Sequence, residues 1–555
     1  MSANIDDTLV DLPDGLTTER LQTRLSDLAG FAATEENRQK FFGKLSLIQS
    51  IINKLKDDEV NSGVRFQCLR VLANVCADND NNRDMMMEVS GFLDALCSCW
   101  LGSDEELRNT ASIVASNFCI DYDLAQKFLI KSRVPEVLVK ILNIPQDEDA
   151  VGNVLRLLEI IVMNDSFSED DMDPRSVSVI LRSLPSQDLS DFVGTISALL
   201  LLEPFRLQML SDNFEDLIVL CEIFEKLADL NDTGALSILL QNLTDISSVD
   251  PFSTSTLPEK LCDIWTRWIG LDIESEENSY LRTAGLTLLG NFCVNESSCV
   301  YMVNQRKLHK DVLSLVARST SKPTEIYSAA GLLKNFAIGD KNKRVLVDDN
   351  VYSAVSKMLH MPESPQVTSA GLGLLRLTLT NSYENSVDLV SQEINKLLLK
   401  RVQDLYLQNS EKSVVLEASR IYCALIRSLA FHKSPNEDEL MSAVLQASNS
   451  DMETIISMMF KLLAEKQHQE ILSAEAIFTL VLIARDVRAC NILSQKLEES
   501  EDILSNITAL IQPHSEFSEN LKKNAKTLVL VVGQNSQLVD GNLYSTYRQI
   551  IENSA

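Results

Sequence analysis

The residues of this chain that could do chemistry recur in one form. A polar side chain appears at Asn74, Asn117, Asn242, Asn291, Asn335, Arg376 and Arg420, each near the end of a run of small and leucine residues. An amide both donates and accepts, so a row of asparagines suits gripping the backbone of a polypeptide partner. An Asn at such a position either meets that partner or hydrogen-bonds within its own repeat. Bond-making chemistry finds no comparable set. The five histidines, at 309, 360, 432, 468 and 514, lie far apart and without metal-ligand spacing. Cys97-Ser98-Cys99 lacks the CxxC pairs of a zinc site. No GxxxxGK[ST] phosphate loop or nucleophile elbow occurs, and Gly285, Gly290 and Gly331 read as helix-packing glycines. The expectation is a non-enzymatic binding protein with no cofactor and no metal.

The polar residues sit on a repeat. Leu281–Phe292, Ser328–Phe336 and Ser369–Leu377 write one helical phrase three times, with small residues leading and leucines at helical spacing. The steps from Asn291 to Asn335 to Arg376 to Arg420 are 44, 41 and 44 residues. Upstream, Asn74, Asn117, Glu159, Leu201 and Asn242 follow at steps of 43, 42, 42 and 41. A period of roughly 40–47 residues marks the armadillo/HEAT type of helical repeat. The fold class expected is therefore all-α, a right-handed solenoid of about eleven or twelve repeats. With Gly (18) and Pro (13) scarce, nothing divides the 555 residues into linked domains. Residues 1–16 read as a disordered N-terminus and 17–555 as a single solenoid, with longer loops near 247–257 and 432–439. In such a repeat the last helix lines the inner groove, so the polar positions would form a ladder along it.

Charge narrows the partner. The formal net charge is −29, which disfavours nucleic acid and favours basic segments. Apolar runs such as 197–202 are too short to span a bilayer, the N-terminus carries no signal pattern, and the eleven cysteines lie mostly in apolar phrases. A cytoplasmic location is expected, with the nucleus and the endoplasmic reticulum as further compartments, and no direct membrane insertion.

Several phrases carry a family likeness. Ala284-Gly285-Leu286 through Gly290-Asn291-Phe292, then Asn295 and Cys299–Val303, are followed by Ala329–Ile338 and Gly373–Arg376. Ser419-Arg420 with Ala424-Leu425-Ile426-Arg427 and, upstream, Asn117-Phe118-Cys119 with Asp121 complete the set. In this order the phrases resemble the armadillo GDP dissociation stimulators of the Smg type, which act on small GTPases of the Ras and Rho families. The likeness implies that a GTPase is held in the groove, with Asn117, Asn242, Asn291, Asn335, Arg376 and Arg420 among the residues touching it. It implies an acidic surface for a basic C-terminal tail, prenylated in some partners. Glu159, Asp165, Glu169, Asp170, Asp171, Asp173 and Glu203 are the candidates. It implies faster GDP release, chaperoning of the prenylated GTPase, or both. Other readings are a scaffold of polarity or adhesion signalling, like the catenins, and a cargo adaptor of the importin-α kind. The last alternates Trp with Asn along its groove, and none of the three tryptophans here adjoins a ladder Asn.

Overall fold

The structure is a computed structural model that describes residues 9, 11–13, 15–57, 59–185, 189–272, 274–361, 363–432, 437–445, 449–465, 469–512, 517–535 and 542–552. Every regular element among them is helical, as the absence of period-two alternation predicts. Packing divides the chain into two compact units, Met1–Ile264 and Trp265–Ala555. A repeat is a short first helix, a second helix, and a longer third one. Asp340–Asp348, Val351–Leu359 and Pro365–Leu379 form one such set.

Third helices stack on one another within each unit. In the first they are α1 (Thr18–Phe31), α2 (Ser62–Cys76), α3 (Glu105–Cys119), α4 (Glu148–Val162), α5 (Val193–Leu200) and α6 (Thr233–Ser247). In the second they are α7 (Glu276–Phe292), α8 (Pro323–Phe336) and α9 (Pro365–Leu379). After α10 (Glu393–Gln408), a second helix, come α11 (Lys412–Ala430), α12 (Gln469–Ile483) and α13 (Glu519–Asn535). The expected phrases lie within these helices. Side-chain oxygens start several of them: Asn61, Asp104, Asp147, Asp232 and Ser275 accept from backbone amides of the first turn. Left-handed residues turn the chain between helices. Asp78, Asp121 and Asn381 follow third helices, Asn231 stands just before one, and Gly91, Arg133, Lys307 and Asn350 precede second helices.

Of the stretches expected to be loops, 247–257 contains a one-turn helix, Asp250–Thr254. Residues 433–436 lie outside the described set, and so do 1–8, 10 and 14 of the N-terminal segment. The core is aliphatic, with Trp100, Trp265 and Trp268 fully buried. Burial pushes the Cys68, Cys76 and Cys119 thiols up to about 12, which leaves them uncharged packing groups. No helix among the described residues is long and apolar enough to cross a membrane.

The glycines of the repeat phrase differ in what they do, which corrects the expectation that Gly285, Gly290 and Gly331 all serve packing. A Cβ on Gly285 would stand 2.8 Å from the Trp265 carbonyl oxygen, and one on Gly371 2.8 Å from Met358 Cβ. Gly290 and Gly331 face open space. Gly285→Ala and Gly371→Ala are therefore expected to lower stability by about 1–3 kcal/mol through overpacking. Gly331→Ala should raise it by about 0.5–1 kcal/mol by removing backbone freedom. Urea unfolding of the three variants checks the opposite signs.

Candidate functional site

The asparagine ladder is first a tie between repeats. The last four carbonyls of a helix have no partner inside it, and the next repeat supplies one. Asn74 Nδ2 donates to the Ala29 carbonyl (2.8 Å), Asn117 Nδ2 to Ala73 (3.1 Å) and Asn335 Nδ2 to Gly290 (2.8 Å). Each acceptor lies in the last turn of the preceding third helix, and Ala73 and Gly290 immediately precede the ladder residues Asn74 and Asn291. These three amides each spend one N–H on the fold and remain partly exposed. Asn291 occupies the equivalent place on α7 and is also partly exposed. Asn242 differs from its expected position. It is 2% exposed, its Nδ2 donates to Ser197 Oγ at 3.3 Å, and its Oδ1 is buried without a partner. It lies inside the stack, not on the face.

In the second unit the ladder turns ionic. Arg376 Nε donates to Glu417 Oε2 at 2.8 Å, and Glu417 Oε1 accepts from Arg420 Nη1 at 2.9 Å. Arg420 then grips Glu475 with two bonds of 2.8 and 2.9 Å. Four charges of alternating sign thus run across α9, α11 and α12. Each side chain is about one-fifth exposed. The paired Glu475 carboxylate pushes the Arg420 guanidinium further up, so Arg420 stays charged at any working pH. The stem of Lys334 lies over Gly373, one turn from Arg376, with Cε 3.3 Å from where a Cβ would stand. Arg427, two turns on from Arg420, sits 5.5 Å over the Phe478 ring. The structure therefore brings Lys334, Asn335, Arg376, Arg420 and Arg427 onto neighbouring third helices as a cationic band. Sequence reading found three of these five. Glu417 and Glu475, which position the arginines, were missed, although Glu417 stands at the helical i−3 position from Arg420.

Exposed apolar residues at the ends of third helices, in each unit, were also missed. Ile120, Met163 and Leu201 follow directly on α3, α4 and α5, and Val294 and Ile338 lie two residues past α7 and α8. All are between 42% and 68% exposed. The repeat step joins Ile120 to Met163 and Val294 to Ile338, and Leu201 itself stands at a ladder position.

The acidic candidates do not form one cluster by their contacts. Glu159 projects from α4 over Gly194 of α5, where a Cβ would meet its Oε1 at 2.4 Å. It makes no ion pair among the described residues. Burial, aided by the nearby Asp191, holds its carboxyl above the usual range, with Arg156 opposing. Asp165 and Glu203 lie exposed just past α4 and α5, and Glu203 opens the short helix Glu203–Gln208. Glu169–Asp171 form a 3-10 turn, and the Asp171 carboxylate accepts from the backbone and hydroxyl of Ser168, both at 2.8 Å. Asp173 accepts from the Arg175 amide at 2.9 Å. Asp170 is exposed, and its carbonyl accepts from Arg133. This run is a self-capped turn in which Glu169 and Asp170 have the freest carboxylates.

With this geometry stated, the chain can be set beside known proteins. Residues 9–190 match the sequence family described as the BEM4 N-terminal domain. The GTPase-GDP dissociation stimulator vimar of Drosophila melanogaster is 25% identical over 72% of this chain and 65% of its own length. The Rap1 GTPase-GDP dissociation stimulator 1-A of Xenopus laevis is 23% identical over 77% of this chain and 69% of its own. The match to the Drosophila protein thus spans just under two thirds of that relative. A chain solved in work on the phosphorylation-controlled interaction between cadherin and β-catenin superposes with a TM-score of 0.61. It is 13% identical and is covered in full by 95% of this chain. That likeness bears on the fold, an all-α repeat solenoid. The resemblance to the Smg-type dissociation stimulators holds over most of the chain.

Two expected outcomes test these assignments. Asn117→Ala and Asn335→Ala should each cost about 1 kcal/mol of stability, because an orphan carbonyl loses its donor. Asn→Asp at either site should cost more, since it sets a carboxylate against that oxygen. Denaturant midpoints give the comparison. Glu159→Gln should raise the melting temperature at neutral pH. A carboxyl whose folded pKa is raised costs stability once ionised, so the gain should shrink as pH falls through the Glu159 titration and vanish below it. A pH series of melting curves reads this directly.

Proposed function

We propose that this protein regulates small GTPases of the Ras and Rho families, binding the GTPase along the third-helix face of its second unit and speeding GDP release. The observation that carries the reading is the ionic ladder Arg376–Glu417–Arg420–Glu475, which holds two arginines in fixed orientation beside Lys334 and Asn335. The ladder itself is balanced in charge, and Lys334 and Arg427 beside it give the band a positive excess in a chain of net charge −29. It has the chemistry to take hold of acidic and backbone groups on a partner. The relatives named above as GTPase-GDP dissociation stimulators supply the partner class by kinship.

The mechanism requires no covalent step. A groove that fits the nucleotide-free GTPase better than the GDP-bound one lowers nucleotide affinity by that same difference. The Asn and Arg side chains of the second unit would bear on the GTPase switch region, and the exposed Val294 and Ile338 would cover its apolar part. In the first unit, Glu159, Asp165, Asp170 and Glu203 would meet a basic C-terminal tail, with or without a prenyl group. A protein acting by this route shelters the tail while it loosens the nucleotide, which unites the exchange and chaperone roles.

Release of a fluorescent GDP analogue from a panel of Ras- and Rho-family GTPases tests the reading. Accelerated release from at least one supports it, whereas binding without release would make the protein a scaffold. Arg376→Ala or Arg420→Ala should weaken binding by about tenfold or more, since contact arginines cost about 1–3 kcal/mol when truncated. Glu417→Gln should also weaken it, while leaving both arginines in place, because the guanidinium groups lose their shared orienter. Association with a basic-tailed GTPase should slow as ionic strength rises, since exposed charges are screened beyond ~8 Å at physiological salt. Neutralising Glu159, Asp165 and Glu203 together should flatten that dependence.

A further inference from the structure

Helix α10 has a solvent face that the repeat leaves uncovered. Only Leu398, Val402 and Leu405 of its sixteen residues are buried. Ile394, Leu397 and Leu407 are 76%, 67% and 64% exposed. The preceding second helix, Val351–Leu359, packs on α10, but the following one, Asn449–Leu463, does not pack closely against it. A cleft of about 480 Å³ stands on that side, lined by Leu397, Leu407, Tyr422 and Val444 among others. On the other side a groove of about 560 Å³ runs along Tyr352, His360 and Ile394. Helix α10 is therefore a ridge between two grooves, the form that helix packing uses on both of its partners.

The order of residues along the ridge identifies its occupant. Leu397, Lys400, Asp404 and Leu407 follow at steps of three, four and three, which places them in one stripe along the helix. Lys400 and Asp404 have no ion pair or hydrogen bond among the described residues. Their neighbours do: Lys396 is paired with Glu393 at 2.5 Å, and Arg401 donates to the Leu359 carbonyl at 3.0 Å. The stripe is symmetric about Val402. A two-fold axis at that level, relating two antiparallel copies of α10, sets Leu397 against Leu407 of the other copy. It also sets Lys400 against Asp404, twice. A sequence that complements itself in both charge and shape under a two-fold axis is the mark of an isologous interface. An acidic or basic peptide would satisfy only one of the two free charges.

We infer that the α10 stripe is a self-association site, through which two copies of this chain pair antiparallel by Leu397–Leu407 and Lys400–Asp404 contacts. One helix pair with its flanking grooves is a small interface, so the dimer is weak and reversible. The inference is independent of the GTPase reading, because its residues lie on a second helix, away from the third-helix ladder.

Sedimentation velocity on the full chain tests it by charge exchange. The wild type should pass from monomer to dimer with concentration in the micromolar range, ~1–100 µM. Lys400→Asp alone and Asp404→Lys alone should each weaken the dimer tenfold or more, by opposing like charges. An equal mixture of the two single variants should dimerise again, and so should the double exchange. Melting curves should change little, since Lys400 is exposed and Asp404 is half-buried with no ion pair or hydrogen bond among the described residues. Should a reversal disturb folding, Lys400→Gln and Asp404→Asn carry the same test, each weakening the dimer to a lesser degree. A wild type that stays monomeric to ~200 µM overturns the inference. So does a single variant that dimerises like the wild type, or a mixture that fails to recover.

Discussion

The stack depends on how the open ends of its third helices are closed. A helix end leaves carbonyls without donors, and burying them between repeats is tolerable only if another group reaches in. Here the donors come from two directions. The third helix of the next repeat sends an amide back, as Asn117 does to Ala73 and Asn335 to Gly290. The first helix that follows sends a longer side chain across. Arg83 donates through Nε to both the Cys76 and Asn117 carbonyls, each at 3.0 Å, and thereby joins two successive third-helix ends. Lys343 reaches Thr380 at 2.6 Å, and Asn342 and Asn385 bond back to Phe336 and Thr378. These junctions are thus held by directional bonds as well as apolar burial, which fixes the register of one repeat on the next.

That requirement also explains where the ladder is released from structural duty. At the end of α9 the buried Ser428 hydroxyl donates to the Leu379 carbonyl at 2.6 Å, doing from α11 what an asparagine amide does elsewhere. The ladder position on α11 is then free to carry Arg420. Each asparagine has one N–H and its Oδ1 left to offer, whereas the arginines keep N–H groups beyond those bound to glutamate. The same row therefore changes from amide ties to ion pairs along the second unit.

The repeat period was legible because it appears as equal steps between like residues, and the third helices fall where those steps put them. What escaped reading was mostly the face. Gly285, Gly331 and Gly371 stand six, four and five residues before Asn291, Asn335 and Arg376. At about 100° per residue, an offset of four keeps Gly331 on the ladder face, open to solvent, whereas offsets of five and six turn Gly371 and Gly285 into the stack. The buried pair Arg282–Glu325, 2.7 Å apart, was hidden because its partners are unlike and 43 residues apart. That distance is the repeat step and could have betrayed it. Glu475 lies 55 residues from Arg420, beyond the usual step, so no count from the ladder leads to it.

Two sets of ion pairs built on the same geometry then part company through burial. Arg282 and Glu325 are 3% and 1% exposed, and Arg282 is tied further to the Leu271 carbonyl. Separating that pair would strand a charge in the stack, at a cost of roughly 3–5 kcal/mol, so no partner can draw it out. Arg376, Glu417, Arg420 and Glu475 are each near one-fifth exposed. Water still reaches them, so exchanging one carboxylate for another costs far less than leaving a guanidinium bare. An acidic group of a partner can replace Glu417 or Glu475 at one arginine while the displaced glutamate moves into solvent. Neutral partners gain nothing by such a displacement, and basic ones are repelled by the band itself. A ladder whose charges are already paired thus favours an anionic site of matching spacing while keeping both arginines oriented when no partner is present.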